Sequence, residues 1–246
     1  RIDTLKANST TQVITMNWGN NFPADSGRQF LTVFDTTHGY QGVWHLSDST
    51  GSSVKDATQN FYSGMSPDTA RPQQVQGIIG NASQFDGRKN YITMPNTASG
   101  RLDFSRGDSY TVSAWVYVEG ADDKSHVILS KGNTQYFLWH TPIHLSKPLF
   151  EFADFRNQSG WDLAVSDFSS GSWVQLTGVH DGTSHKLYVN GHCTDTLIDY
   201  PFASLPRNNQ SDLMIGRYAL LMPLAGGEAE YCFFKGKIDE IQISSV

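Results

Sequence analysis

Residues Tyr110-Thr-Val-Ser-Ala-Trp-Val-Tyr-Val118 constrain this chain more than any others. Laid out as an extended backbone, Val112, Ala114, Val116 and Val118 share one side. Thr111, Ser113, Trp115 and Tyr117 share the other. Side chains alternate across a strand, so the segment reads as a β-strand with one apolar face. Ser172–Val179 and Lys186–Val189 repeat the pattern. Between and after them, Asp181-Gly182 and Asn190-Gly191 supply residues that tolerate positive φ, the signal of a tight hairpin. Asp86-Gly87 and Lys235-Gly236 punctuate two further strand-like stretches. Helical periodicity is confined to a turn or two near Pro201–Leu205. Many short strands spaced ~8–12 residues apart predict an all-β fold, a two-sheet antiparallel jelly-roll sandwich.

The pattern has one break. A strand over Thr11–Trp18 leads into a Pro/Asp/Ser/Gly-rich stretch, and clean alternation restarts at Gly42-Val-Trp-His-Leu46. We place a boundary near residue 38, giving an N-terminal extension over 1–38 and a sandwich over 39–246. Charge narrows the partners. With 18 Lys+Arg against 24 Asp+Glu and a net charge of −6, the chain is ill suited to a phosphate backbone, so no nucleic acid is expected. It has no run of ~18 apolar residues, so no direct membrane insertion is expected. A chain that starts at Arg1 without a leader reads as an excised piece of something longer.

At this point the motifs resemble a known family. Gly42-Val-Trp-His-Leu-Ser-Asp48, Val54–Asn60, Ile79–Gly87 and Tyr91-Ile-Thr-Met94 resemble the opening of bacterial LamG-like modules. These modules belong to the concanavalin A-like lectin/glucanase superfamily. Trp173, Gly178-Val-His-Asp-Gly182 and Leu187-Tyr-Val-Asn-Gly191 resemble its hairpin. Met214-Ile-Gly216 and Phe234–Ile243 complete the set. Ile14–Asn20 and Ala24–Asp35 resemble the tail of a β-domain that precedes such modules. The family implies the jelly roll, but its members range over glycan-binding, adhesion and hydrolase functions, because function sits in the site. It also implies an extracellular or cell-surface setting, where the even cysteine pair, Cys193 and Cys232, is expected to form a disulfide.

The glucanase branch sets carboxylates at i, i+2 or i+4 along one strand, so that both reach one glycosidic bond. Only five Glu exist, at positions 119, 151, 228, 230 and 240. Glu151 and Asp154 have opposite parity, as do Asp239 and Glu240, and Glu228/Glu230 lie in a Gly-rich loop. With no nucleophile elbow, zinc-protease motif or phosphate loop, we expect no enzyme. His180 and His185 flank a hairpin turn and are read as surface residues.

The resemblance assigns Trp44, Trp115 and Trp173 to the core. Trp139 and Trp161 remain, and between them run Asp154, Arg156 and Asn157. A sugar ring stacks its C–H face on an indole and offers hydroxyls to planar polar side chains. A polysaccharide-binding surface is therefore expected on residues 135–161, with Arg217-Tyr218 on the same sheet face. Calcium takes six to eight hard oxygens. The resemblance makes Asp56, which opens a polar loop, and Asp239, in the last strand, its expected ligands. The expected function is a non-catalytic, lectin-like carbohydrate-binding module, monomeric within a longer chain. The alternatives are a structural or adhesion spacer without a sugar site and a divergent glycoside hydrolase.

Overall fold

A computed structural model describes residues 33–48, 53–97, 99–105, 107–120, 122–132, 135–144, 147–157, 160–199, 211–219, 222–223, 229–230 and 232–245. The expected strand at 11–18 and the turn near 201–205 lie outside them.

The first strands are β1 (Tyr40–Trp44), β2 (Ser53–Val54), β3 (Gly64–Met65), β4 (Gln73–Gln76), β5 (Asn81–Asp86) and β6 (Ile92–Met94). The middle of the chain supplies β7 (Ser109–Val118), β8 (His126–Lys131), β9 (Tyr136–His144), β10 (Lys147–Asn157), β11 (Gly160–Asp167) and β12 (Trp173–Asp181). The remainder are β13 (Ser184–Val189), β14 (His192–Ile198), β15 (Leu213–Ile215), β16 (Met222–Pro223), β17 (Ala229–Glu230) and β18 (Lys235–Ser244). All but β16 and β17, which pair only with each other, form two antiparallel sheets. Sheet A runs β14-β13-β12-β7-β18-β5-β4, with β1 also on β18. Sheet B runs β11-β10-β9-β8-β15-β6-β3-β2. The expected all-β, two-sheet sandwich is the fold.

Alternation fills the space between the sheets. Val112, Ala114, Val116 and Val118 of β7 point inward, against Phe150 and Phe152 of β10 and Leu213 and Ile215 of β15. Trp44 is wholly buried and donates its Nε1–H to the Tyr62 carbonyl at 2.8 Å. A buried indole keeps its donor satisfied in this way. Gly178 is set by packing: a Cβ there would meet the Phe152 ring at 2.3 Å. In the β13–β14 turn, Asn190 (φ 50°) and Gly191 (φ 79°) take the two positive φ values the hairpin signal predicted. At the far edge the sheets meet, where Val165 of β11 donates its amide to Asp195 of β14 at 2.9 Å.

Three expectations are corrected. Trp115 and Trp173 lie outside the core, half-buried on the outer face of sheet A. His180 and His185 are fully buried rather than on the surface. Cys193 and Cys232 are not joined. Cys193 is exposed on β14, the edge of sheet A, whereas Cys232 is buried against β8 on the outside of sheet B. The pairing was inferred from an even count, and the two thiols belong to different sheets.

Candidate functional site

The outer face of sheet B is assembled from residues whose neighbours in sequence point into the core. Phe137 and Trp139 of β9 alternate with buried Tyr136 and Leu138. With Val127, Ala153, Leu163, Tyr218 and Cys232 they form a second, smaller apolar cluster outside the sandwich. Trp139 is half-buried there, edge-on to Phe137 at 4.9 Å, and donates its indole N–H to the buried carboxylate of Glu151. One face of the cluster is closed by Tyr218, whose ring meets Phe137 at 5.9 Å. Burial, and secondarily Cys232, pushes the Tyr218 hydroxyl far above its ordinary value. It is therefore neutral at any physiological pH and acts as a packing group.

Trp139 is the one predicted stacking residue whose side chain is described. Asp154, Asn157 and Trp161 fall in the β10–β11 hairpin, where Asp154 faces Asp162 and Phe155 faces Trp161 in register. Arg156 lies at the bulge between Phe155 and Asn157. Their side chains lie outside the described residues.

Further along the same face, past β8, a hollow of about 270 Å³ lies over β15 and β6. It is lined by Tyr91, Thr93, Ser211, Asp212, Met214 and Arg217, with Ala219 at its edge. Parity again explains the set. Ile92 and Met94 point inward and leave Thr93 outside; Leu213 and Ile215 do the same for Met214. Arg217 lays its guanidinium over the Tyr91 ring, 4.0 Å from the centroid, a cation–π contact that holds a planar fork of donors beside an aromatic plate. Asp212 accepts the Asn96 amide at 2.8 Å. Thr93 and Met214 are legible from alternation. The pairing of Tyr91 with Arg217, more than a hundred residues away, is not.

Sheet A carries a second exposed array. Trp173 of β12 stands opposite Tyr117 of β7, which stands opposite Lys237 of β18. The Trp173 and Tyr117 rings meet edge to face at 5.9 Å, and the Lys237 ammonium sits 4.7 Å above the Tyr117 ring. Trp115 and Gln175 form the neighbouring cross-strand pair.

The two carboxylates expected to hold calcium sit apart in different bonding environments. Asp56 is buried and accepts four hydrogen bonds: from the amides of Val43 (3.0 Å), Thr58 (2.9 Å) and Tyr62 (2.8 Å), and from the Thr58 hydroxyl (2.8 Å). Donor hydrogens occupy the lone pairs a cation would need, so Asp56 does not fit calcium as arranged. Asp239 accepts the amides of Ile78 (2.9 Å) and Ile79 (3.1 Å) on one oxygen. Its other oxygen is buried without a hydrogen-bond partner among the described residues. Burial raises its pKa above the ordinary value, against the pull of the two amides. Asp239 thus has one oxygen to spare.

Among the other acids, Glu240 accepts from His45 at 2.9 Å. Asp199 binds His180 (2.9 Å) and His185 (2.8 Å). Burial pushes the Asp199 carboxyl up, but the bonds from both imidazoles outweigh it and hold the group well below the usual carboxylate range.

Comparison with known proteins agrees with this architecture. Residues 86–246 match the family model described as the concanavalin A-like lectin/glucanases superfamily. A search of curated proteins finds no match. Among solved structures, the chain is similar to domain 4 of AbnA, an extracellular GH43 arabinanase of Geobacillus stearothermophilus, in complex with arabinotriose. That match has 18% identity and a TM-score of 0.60, covering 84% of this chain and 92% of that one. It is also similar to botulinum neurotoxin type C, in a structure concerned with its interaction with two ganglioside molecules. Identity there is 10% and the TM-score 0.61, over 85% of this chain and 48% of the toxin chain. The serotype G binding domain gives 10% and 0.59, over 84% and 47%. This chain spans about half the length of those toxin chains, and at such identities the likeness is one of fold.

Proposed function

The chain belongs to the concanavalin A-like lectin/glucanases superfamily, and from that premise we propose that it is a non-catalytic carbohydrate-binding module of an extracellular or surface protein. We take the ligand to be a polysaccharide or glycan lying across the outer face of sheet B. The observation that carries this reading is the hollow in which Arg217 lies on the Tyr91 ring beside Asp212, Ser211 and Thr93. It combines an aromatic edge, a fixed guanidinium fork and carboxylate and hydroxyl acceptors, the groups that read sugar hydroxyls. Trp139 extends the same face toward its other edge, where the β10–β11 hairpin lies. The arabinotriose complex of the arabinanase domain lends support by analogy of fold. Binding of this kind is weak per site, because sugar hydroxyls are desolvated for small net gain.

A second surface is favoured by a specific observation: Trp115, Tyr117 and Trp173 stand half-exposed together on the central strands of sheet A. Affinity electrophoresis against a panel of soluble polysaccharides, arabinan among them, separates the two. Tyr91→Ala, Arg217→Ala and Trp139→Ala should each weaken retention by about 1–3 kcal/mol, the range for losing an aromatic or Arg anchor. Loss confined to Trp115→Ala and Trp173→Ala moves the site to sheet A. A folded wild type that binds no member of the panel favours the spacer reading. Calcium enters this proposal only through the spare oxygen of Asp239. A rise in melting temperature with millimolar Ca²⁺ that is lost in Asp239→Asn supports it, and an unchanged melting temperature removes it.

A further inference from the structure

The buried His180–Asp199–His185 cluster has a proton-counting problem. His180 is next to last in β12 and His185 is second in β13, and the two are directly opposed in register, with ring centroids 4.5 Å apart. Asp199, just past β14, places one carboxylate oxygen 2.9 Å from His180 Nε2 and the other 2.8 Å from His185 Nδ1. These ligand-capable atoms all lie within 4.8 Å of one another. The opposite nitrogen of His180, Nδ1, is 2.7 Å from the Asp108 carbonyl. A carbonyl only accepts, so Nδ1 carries the proton. In a neutral ring Nε2 is then a lone pair, and it faces a carboxylate lone pair inside the protein. Something positive has to lie between them.

We propose that this centre is a divalent transition-metal site of the zinc class, with His180 Nε2, His185 Nδ1 and Asp199 as its three protein ligands. Two imidazoles and one carboxylate suit zinc and its neighbours and do not suit calcium, which takes oxygens alone. The backbone carbonyl on His180 Nδ1 is the outer partner that fixes tautomer and ring orientation in metal-bound histidines. Tetrahedral zinc with ligand bonds of about 2.0 Å separates its donor atoms by about 3.3 Å. The 2.8 and 2.9 Å gaps run to different oxygens of Asp199, and all the donor atoms lie within 4.8 Å of one another. Gathering them at about 3.3 Å around one ion therefore takes side-chain shifts of up to about 1.5 Å. Tyr110, 5.4 Å from the His180 ring, and Phe152, 5.5 Å from the His185 ring, line the cluster and keep it apolar. A metal here would pin the β12–β13 hairpin to the end of β14. The site is separate from both candidate glycan faces.

The test uses the full chain stripped with chelator and dialysed. Zn²⁺ should bind at one equivalent by calorimetry and raise the melting temperature by several degrees. His180→Gln and Asp199→Asn should abolish the rise. Because either variant could also weaken the fold, Co²⁺ provides an independent readout. Wild type should give the intense visible bands of a four-coordinate site, and His185→Cys should add a thiolate-to-cobalt charge-transfer band that wild type lacks. Absence of both Zn²⁺ stabilisation and a Co²⁺ spectrum in wild type overturns the proposal and leaves a proton as the bridging charge. Binding that survives unchanged in all three variants also overturns it, since the ion would then sit elsewhere.

Discussion

His140 shows how a single buried side chain contributes to the acid response of this fold. Neither of its ring nitrogens has a hydrogen-bond partner among the described residues, and the ring stacks on Phe168 at 4.0 Å. The groups facing it are His126, stacked at 5.8 Å, and Asp122, which binds His126 at 2.8 Å. Burial, reinforced by His126, lowers the His140 pKa from 6.5 to about 4. The unfolded chain therefore takes up this proton near pH 6.5 and the folded chain only near pH 4. Stability from this group is complete above pH 6.5 and falls as the pH drops toward 4, by about 3 kcal/mol in all. His140→Leu should keep neutral-pH stability close to wild type and flatten that part of the pH profile. Urea unfolding at pH 7.5 and 4.5 checks it; identical pH slopes for the two proteins would count against the assignment. Alternation alone also places buried histidines. Val174 and Leu176 point inward on β12, and the same parity carries His180 inward. Trp115 shares a parity with Thr111 and Ser113 and so belongs outside. Alternation and family analogy point opposite ways for Trp115, and the structure follows alternation.

At the level of the element, alternation in β7 and β12 was fully legible, because one face of each strand must be buried and the period of two leaves no choice of phase. Which residues meet across the sandwich was not legible, since inter-sheet contacts depend on crossings that no local pattern encodes. The Gly178–Phe152 contact is of this kind, and the Tyr91–Arg217 pair depends likewise on β6 and β15 becoming neighbours within sheet B. Gly178 gives a direct test. An added methyl would overlap Phe152 in the middle of β12, where the backbone is held on both sides by β7 and β13. Gly178→Ala should cost about 1–3 kcal/mol by overpacking. Gly107→Ala, where a Cβ meets nothing within 4 Å, should be close to neutral. Trimming the ring with Phe152→Leu should recover part of the Gly178→Ala loss, giving a coupling energy in a double-mutant cycle. Strict additivity of the two changes would show that the glycine acts through its backbone and not through the ring.

For the whole molecule, the family match begins at residue 86, but the sandwich does not. β18 lies at the centre of sheet A, between β7 and β5, and β1 pairs with its last residues, Trp44 opposite Ile241 and Tyr40 opposite Ser244. Cutting at residue 86 removes β1 to β4 and nearly all of β5, leaving one side of β18 as an open row of unpaired backbone groups. Such an edge invites association. The cut also takes Trp44, Leu46, Tyr62 and Phe85 out of the main core. Large core side chains cost about 2–5 kcal/mol each when truncated to Ala, so losing four exceeds the whole stability of a typical domain. Cutting at residue 39 is different. Among the described residues it removes chiefly Phe34, whose ring packs edge-on to Tyr40 at 5.3 Å and beside His45 at 5.6 Å, and the turn at Thr36–His38. We expect residues 39–246 to unfold in a single cooperative transition within a few degrees of the full chain. Residues 86–246 should lack native near-UV dichroism and aggregate on concentration. The near-UV signal is informative because Trp44, fixed in the core, is present only in the longer piece, while Trp115 and Trp173 remain in both. A monomeric 86–246 fragment with a sharp thermal transition would place the folding unit at the matched segment and make β1 to β5 an accessory layer.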